Sequence, residues 1–82
     1  MMIVWDEPKR LANIDKHGLD FADLSLEFFQ RALIRPAKRG RLQAIGRLAD
    51  GTVAVIFVRL GTEGLSVISM RAANPAERRA LR

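Results

Sequence analysis

Apolar positions along this chain change their period several times, and each change marks an expected element. Met2-Ile3-Val4-Trp5 is a short apolar run that predicts a strand, with Trp5 as a core anchor at the turn that follows. From Glu7 the period becomes helical: Leu11 and Ile14 fall on one side, while Lys9, Asn13 and Lys16 form a polar stripe leading to His17. Both ends of this helix are marked. Asp6 is its N-cap, Glu7 and Pro8 occupy a first turn that favours a carboxylate and tolerates a missing N–H, and Gly18 supplies the left-handed residue at its end. A second helix is expected at once, capped by Asp20 with Asp23 in its first turn. Phe21, Leu24 and Phe28 share one of its faces, and Leu26 and Phe29 widen that apolar sector into a packing surface.

Beyond the second helix the pattern becomes that of strands. Ala32-Leu33-Ile34-Arg35 predicts a strand ended by Pro36, which cannot donate to a ladder and so points to an edge. Lys38-Arg39-Gly40-Arg41 is a basic loop. Asp50-Gly51 is a strong two-residue turn signal between Leu42–Ala49 and Thr52–Leu60, and it sets Leu48 opposite Val53 and Arg47 opposite Ala54. A four-residue loop at Gly61-Thr62-Glu63-Gly64 would pair Leu60 with Leu65, Ile56 with Ser69 and Ala54 with Arg71. Arg47, Ala54 and Arg71 then form one row, with Ser69 two residues before Arg71 on the same face. The opposite face, with Leu48, Val53, Val55, Phe57, Ile68 and Met70, is the one expected to receive the helices.

Asn74-Pro75-Ala76-Glu77 combines an N-cap, a proline at the first helical position and an acid at the third, so a last helix begins there and carries Arg78, Arg79 and Arg82. The expected order is β-α-α-β-β-β-β-α. This is a single α+β domain over residues 1–82: a small, mostly antiparallel sheet with two N-terminal helices packed on one face and a short C-terminal helix.

Length and composition narrow the function. At 82 residues the chain buries only about 60–65% of its unfolded surface, so its stability is modest and a partner would help. The absence of cysteine excludes disulfides and thiolate metal sites, one histidine makes a structural zinc untenable, and no metal or other cofactor is expected. Without an apolar run of roughly 18 residues or a basic-then-apolar N-terminus, the expectation is a cytoplasmic protein that does not enter a membrane. The net charge of +5 is unevenly spread: residues 1–30 sum to −3 and the remainder to +8. So concentrated a charge attracts a polyanion, whether RNA, DNA or an acidic protein.

The inventory of reactive groups is short. Ser25, Ser66 and Ser69 lack nucleophile-elbow glycines and share one possible histidine partner, which argues against acyl transfer, and the glycines make no phosphate loop. What remains is a basic surface with one histidine, the minimum for RNA cleavage by a neighbouring 2′-hydroxyl. That reaction needs a base, donors for the charge building at phosphorus, and an acid for the leaving oxygen. His17 is the candidate base or acid, and Arg47 and Arg71 the candidate donors. Lys9, Lys16, Arg41 and Arg59 are candidate RNA contacts. The plainer alternatives are a His17 that satisfies carbonyls at a helix end and an Arg71 held by the last helix.

The string Trp5-Asp6-x-x-Lys9-x-x-x-Asn13-x-x-Lys16-His17-Gly18-x-x-Phe21 resembles the opening of the BrnT family of bacterial toxins. Arg41, Ala44-Ile45-Gly46 and Ile68-Ser69-x-Arg71-x-Ala73 continue that resemblance in the family's order. It implies a fold similar to RelE-like ribonucleases and a toxin of a type II toxin–antitoxin module that arrests growth by metal-independent RNA cleavage. It also implies a BrnA-like antitoxin with a ribbon-helix-helix domain, through which the complex would reach operator DNA. The chain departs from the family pattern at Pro36-Ala37-Lys38-Arg39-Gly40, where an acid, a histidine and a glutamate are common. The alternative reading is a non-catalytic basic module, or a decayed toxin, that binds antitoxin or nucleic acid.

Overall fold

The computed structural model describes residues 1–81; Arg82, expected on the last helix, lies outside the described residues. The elements are β1 (Met2–Trp5), α1 (Glu7–His17), α2 (Leu26–Arg31), β2 (Leu33–Pro36), β3 (Leu42–Leu48), β4 (Gly51–Leu60), β5 (Gly64–Ala72) and α3 (Pro75–Leu81). The strands form one sheet in the order β1-β5-β4-β3-β2, antiparallel except for β1, which runs parallel to β5. This is the expected α+β order, with β2 at the edge where Pro36 does no harm.

Helix α1 forms between its expected caps. The Asp6 carboxylate accepts from the Lys9 N–H, and Gly18 takes φ 69° while its N–H bonds the Ile14 carbonyl. Trp5 Nε1 donates to Glu7 at 3.1 Å, and its ring meets Phe21 edge-on. Arg10 joins Glu7 at 2.7 Å and Asp20 at 2.8 Å, tying the helix to the turn after it. Leu11, expected on the apolar side, is 55% exposed. The contact with the sheet is made instead by Asn13, a buried amide that donates to the Leu19 carbonyl at 2.9 Å and accepts from the Met70 N–H at 3.0 Å.

The second helix is shorter than expected. Asp20 caps only a single 3₁₀ turn at Phe21–Asp23, and α2 starts at Leu26 with Ser25 accepting from the Phe28 N–H. The chain is extended at Leu24 between them, which lets Phe21, Leu24 and Phe28 all enter the core. Helix α2 lies close on β3: a Cβ on Gly46 would stand 2.7 Å from Phe28 Cε1, so only glycine fits there.

Two registers differ from expectation. The first hairpin turns at Ala49-Asp50, so Leu48 pairs with Gly51, Arg47 with Thr52 and Ile45 with Ala54. Because the partner shifts by two, every side chain keeps its face, yet the row through Arg71 reads Ile45, Ala54, Arg71 and excludes Arg47. The second loop has three residues, with Leu60 opposite Gly64, and a bulge at Ile68 restores the expected pairing of Ile56 with Ser69 and Ala54 with Arg71. Val67 thereby replaces Ile68 in the core, beside Val53, Val55, Phe57, Leu65 and Met70.

Candidate functional site

Helix α3 packs on the face of the sheet opposite α2, over Ile45 and Ala54, which are buried there. Its start is the expected capping box: the Glu77 N–H donates to Asn74 Oδ1 at 2.8 Å, and the Asn74 N–H to Glu77 Oε1 at 3.0 Å. The same carboxylate takes three further bonds. Arg71 Nη1 and Nη2 donate to Oε1 and Oε2 at 2.8 and 2.9 Å, and Gln43 Nε2 donates to Oε2 at 3.1 Å. Gln43 Oε1 in turn accepts from Arg35 Nε at 2.8 Å. The reverse amide orientation would set an NH₂ against a guanidinium and an oxygen against a carboxylate, so these neighbours define it.

Glu77 is 4% exposed. Paired with Arg71 and bonded by the Asn74 N–H and Gln43, its carboxyl is lowered to about 2 despite burial. Arg71 is raised by the same bond and by its attraction to Glu77, and it stays charged. Its side chain remains 43% exposed. Nη1 and Nη2 are fixed on Glu77, Nη1 also donates to the Ala72 carbonyl at 3.2 Å, and the Nε edge, which has no partner among the described residues, is left open to an anion.

Beside this network runs a straight row of paired residues, Arg35, Gln43, Ile56 and Ser69, one from each of β2, β3, β4 and β5. At the usual strand spacing it crosses about 14 Å of sheet. At one end is an open groove of about 520 Å³ lined by Arg35, Lys38, Arg39, Arg41, Gln43 and Ile56, with no acidic side chain among the described lining residues. The basic loop that builds it is a tight turn in which Arg39 and Gly40 both take positive φ. At the other end Ser69 shares a shallow pocket with Lys9, Asn13, Lys16, His17 and Ile68.

The expected site residues therefore fall into separate places. His17, Lys9 and Lys16 gather in the pocket at the β5 end, and Arg41 lies in the groove at the β2 end. Arg71 lies on β5 in the next row, two residues from Ser69, and its guanidinium reaches across to Glu77 of the last helix, the contact named above as the plainer alternative. Arg47 lies apart with Arg31, Glu27 and Leu81. Arg59 lines a groove with Met1, Leu26, Phe29 and Ile34, on the core side of the sheet. In the sequence Lys38 and Arg39 stand out only as part of a basic loop and Glu77 only as a cap, while Arg35 and Gln43 carry no mark of the contacts they make here. The available signal of a site was Gln43, a polar residue inside an apolar strand two positions from Arg41.

Residues 5–77 match the family model described as ribonuclease toxin, BrnT, of type II toxin-antitoxin system. The chain belongs to the BrnT family. It is also similar to the crystal structure of the Brucella abortus ribonuclease toxin BrnT, with 59% identity, a TM-score of 0.85, and coverage of 90% of this chain and 97% of that one. Comparison with curated protein sequences gives no match. As a BrnT toxin the protein is a ribonuclease, and membership of a type II module gives it an antitoxin partner. No helix among the described residues is long and apolar enough to cross a membrane.

Proposed function

We propose that this ribonuclease binds RNA across the sheet beside α3, along the Arg35–Gln43–Ile56–Ser69 row, and cleaves it beside Arg71 without a metal. The observation that carries this reading is the buried Glu77 carboxylate, which holds Arg71 with one edge open next to a row joining two basic pockets. Arg41, Lys38 and Arg39 hold phosphates at one end, and Lys9 and Lys16 at the other. His17 accepts the 2′-hydroxyl proton or supplies the proton to the leaving 5′-oxygen. The 2′-oxygen forms a bond to phosphorus as the bond to the 5′-oxygen breaks, leaving a 2′,3′-cyclic phosphate and a 5′-hydroxyl. Arg71 donates to the phosphoryl oxygens on which charge accumulates.

The reaction belongs in the cytoplasm, where RNA is translated, and the cognate antitoxin is BrnA-like, with a ribbon-helix-helix domain that takes the complex to operator DNA. The test is incubation of antitoxin-free protein with a long RNA in chelator, with Arg71→Ala and His17→Ala variants shown to be folded. Cleavage giving cyclic phosphate ends, reduced 10²-fold or more in Arg71→Ala and clearly reduced in His17→Ala, is the expected result. Cleavage that needs a divalent ion, or a fully active Arg71→Ala variant, would overturn the reading. A native chain that binds antitoxin but cuts no RNA would point to a non-catalytic module.

A further inference from the structure

We propose that Gln43 and Glu77 are positioning residues that set Arg35 and Arg71 as one preorganised grip on two phosphates of the RNA. The inference rests on the RNA path given above. Arginine normally loses much side-chain freedom when it grips a phosphate. Here that freedom is restricted in advance: Arg71 is held through two nitrogens by Glu77, and Arg35 is held at Nε by Gln43. The link between them is direct, because Gln43 Nε2 and Arg71 Nη2 share the same oxygen, Glu77 Oε2.

Helix capping alone does not require this arrangement. The capping box uses the Glu77 N–H and Oε1, whereas Oε2 serves only Arg71 and Gln43 among the described residues. A cap also needs no charge, since glutamine serves at that position. A carboxylate is required to hold a guanidinium by two parallel bonds, and an amide at position 43 is required to donate to that carboxylate while accepting from Arg35. Arg35 Nη1 and Nη2 and the open edge of Arg71 then face RNA without first having to find their positions. The two cations lie in adjacent rows, Arg35 in line with Ile56 and Arg71 in line with Ala54.

Steady-state cleavage of a defined RNA by Gln43→Leu, Arg35→Ala and their double variant tests this, with Glu77→Gln as a second route to the same network. Leucine removes the amide bridge and leaves the Arg71–Glu77 pair and the cap in place. Gln43→Leu is expected to lower kcat/KM about tenfold with the thermal midpoint nearly unchanged, and to add little in the Arg35→Ala background, because Arg35 is the arginine that Gln43 bonds directly while Arg71 keeps both its bonds to Glu77. Glu77→Gln is expected to lose more, since it releases both arginines. Native kcat/KM in Gln43→Leu, or losses by Gln43→Leu and Arg35→Ala that multiply independently, would overturn the positioning role. Native activity in Arg35→Ala and Arg71→Ala would instead overturn the RNA path on which it rests.

Discussion

Replacing Glu77 with glutamine removes one buried charge and leaves a side chain that still suits the third position of α3. The cost follows from the carboxyl's lowered pKa. Glu77 moves from an ordinary 4.5 to about 2 in the fold, which at about 1.4 kcal/mol per unit corresponds to about 3 kcal/mol. Water reaches the Arg71 side of the pair, so the expected loss at neutral pH is about 2 kcal/mol. For a chain of this size that lowers the thermal midpoint by about 8–16 °C. The sign of the pH dependence is fixed. A carboxyl with a depressed folded pKa contributes fully above its unfolded value of 4.5, and the contribution disappears as pH falls from there through about 2. Urea melts of the native chain and Glu77→Gln at pH 7, 5, 4 and 3 should converge steadily below pH 5. The other depressed carboxyl, Asp20, which is held by Arg10, is common to both proteins and cancels. A stability gap that stays constant with pH, or is absent at pH 7, would show that the Arg71–Glu77 bonds do not have this strength.

Gly46→Ala should lower stability by about 1–3 kcal/mol in thermal melts, because the new methyl falls 2.7 Å from the ring of Phe28 in a packed core. Asn13→Ala should cost about 2–3 kcal/mol and speed amide exchange at Met70, whose buried N–H it leaves unpaired. Ser25→Ala should cost about 1 kcal/mol by loss of the α2 cap. Lys38→Ala with Arg41→Ala should weaken RNA binding at all sequences alike and reduce the salt slope of log Kd by about 2, measured by titration in increasing salt.

Signals confined to a few neighbouring residues were legible in the sequence. Asp6, Pro8 and Gly18 delimit α1, and Asn74, Pro75 and Glu77 start α3, because caps act within a turn. Where two local signals compete, the sequence leaves the choice open. Asp20 and Ser25 are both good caps, and the extended residue Leu24 between them lets Phe21, Leu24 and Phe28 all be buried, which divides the helix. Gly51 reads as a turn residue, yet with φ 145° it is already the first paired residue of β4, which moves Arg47 out of the Arg71 row. The bulge at Ile68 has no local mark. It adjoins Met70, whose N–H is met by Asn13 from 57 positions away. The site shows the same division: Arg71 and His17 stood out by type, whereas Arg35, Gln43 and the second role of Glu77 emerge only when three strands and a helix meet.

The parallel pairing of β1 with β5 bears on when this toxin becomes dangerous. As the chain leaves the ribosome, Met2–Trp5 has no strand to join until Gly64–Val67 emerges, and Asn13 has no Met70 to hold. Contacts so distant along the chain close slowly and late. Arg71 and Glu77, which must also find one another, are made after every other strand. Residues 1–70 are therefore made before the Arg71–Glu77 pair can assemble, and the cell has that interval in which to supply the antitoxin.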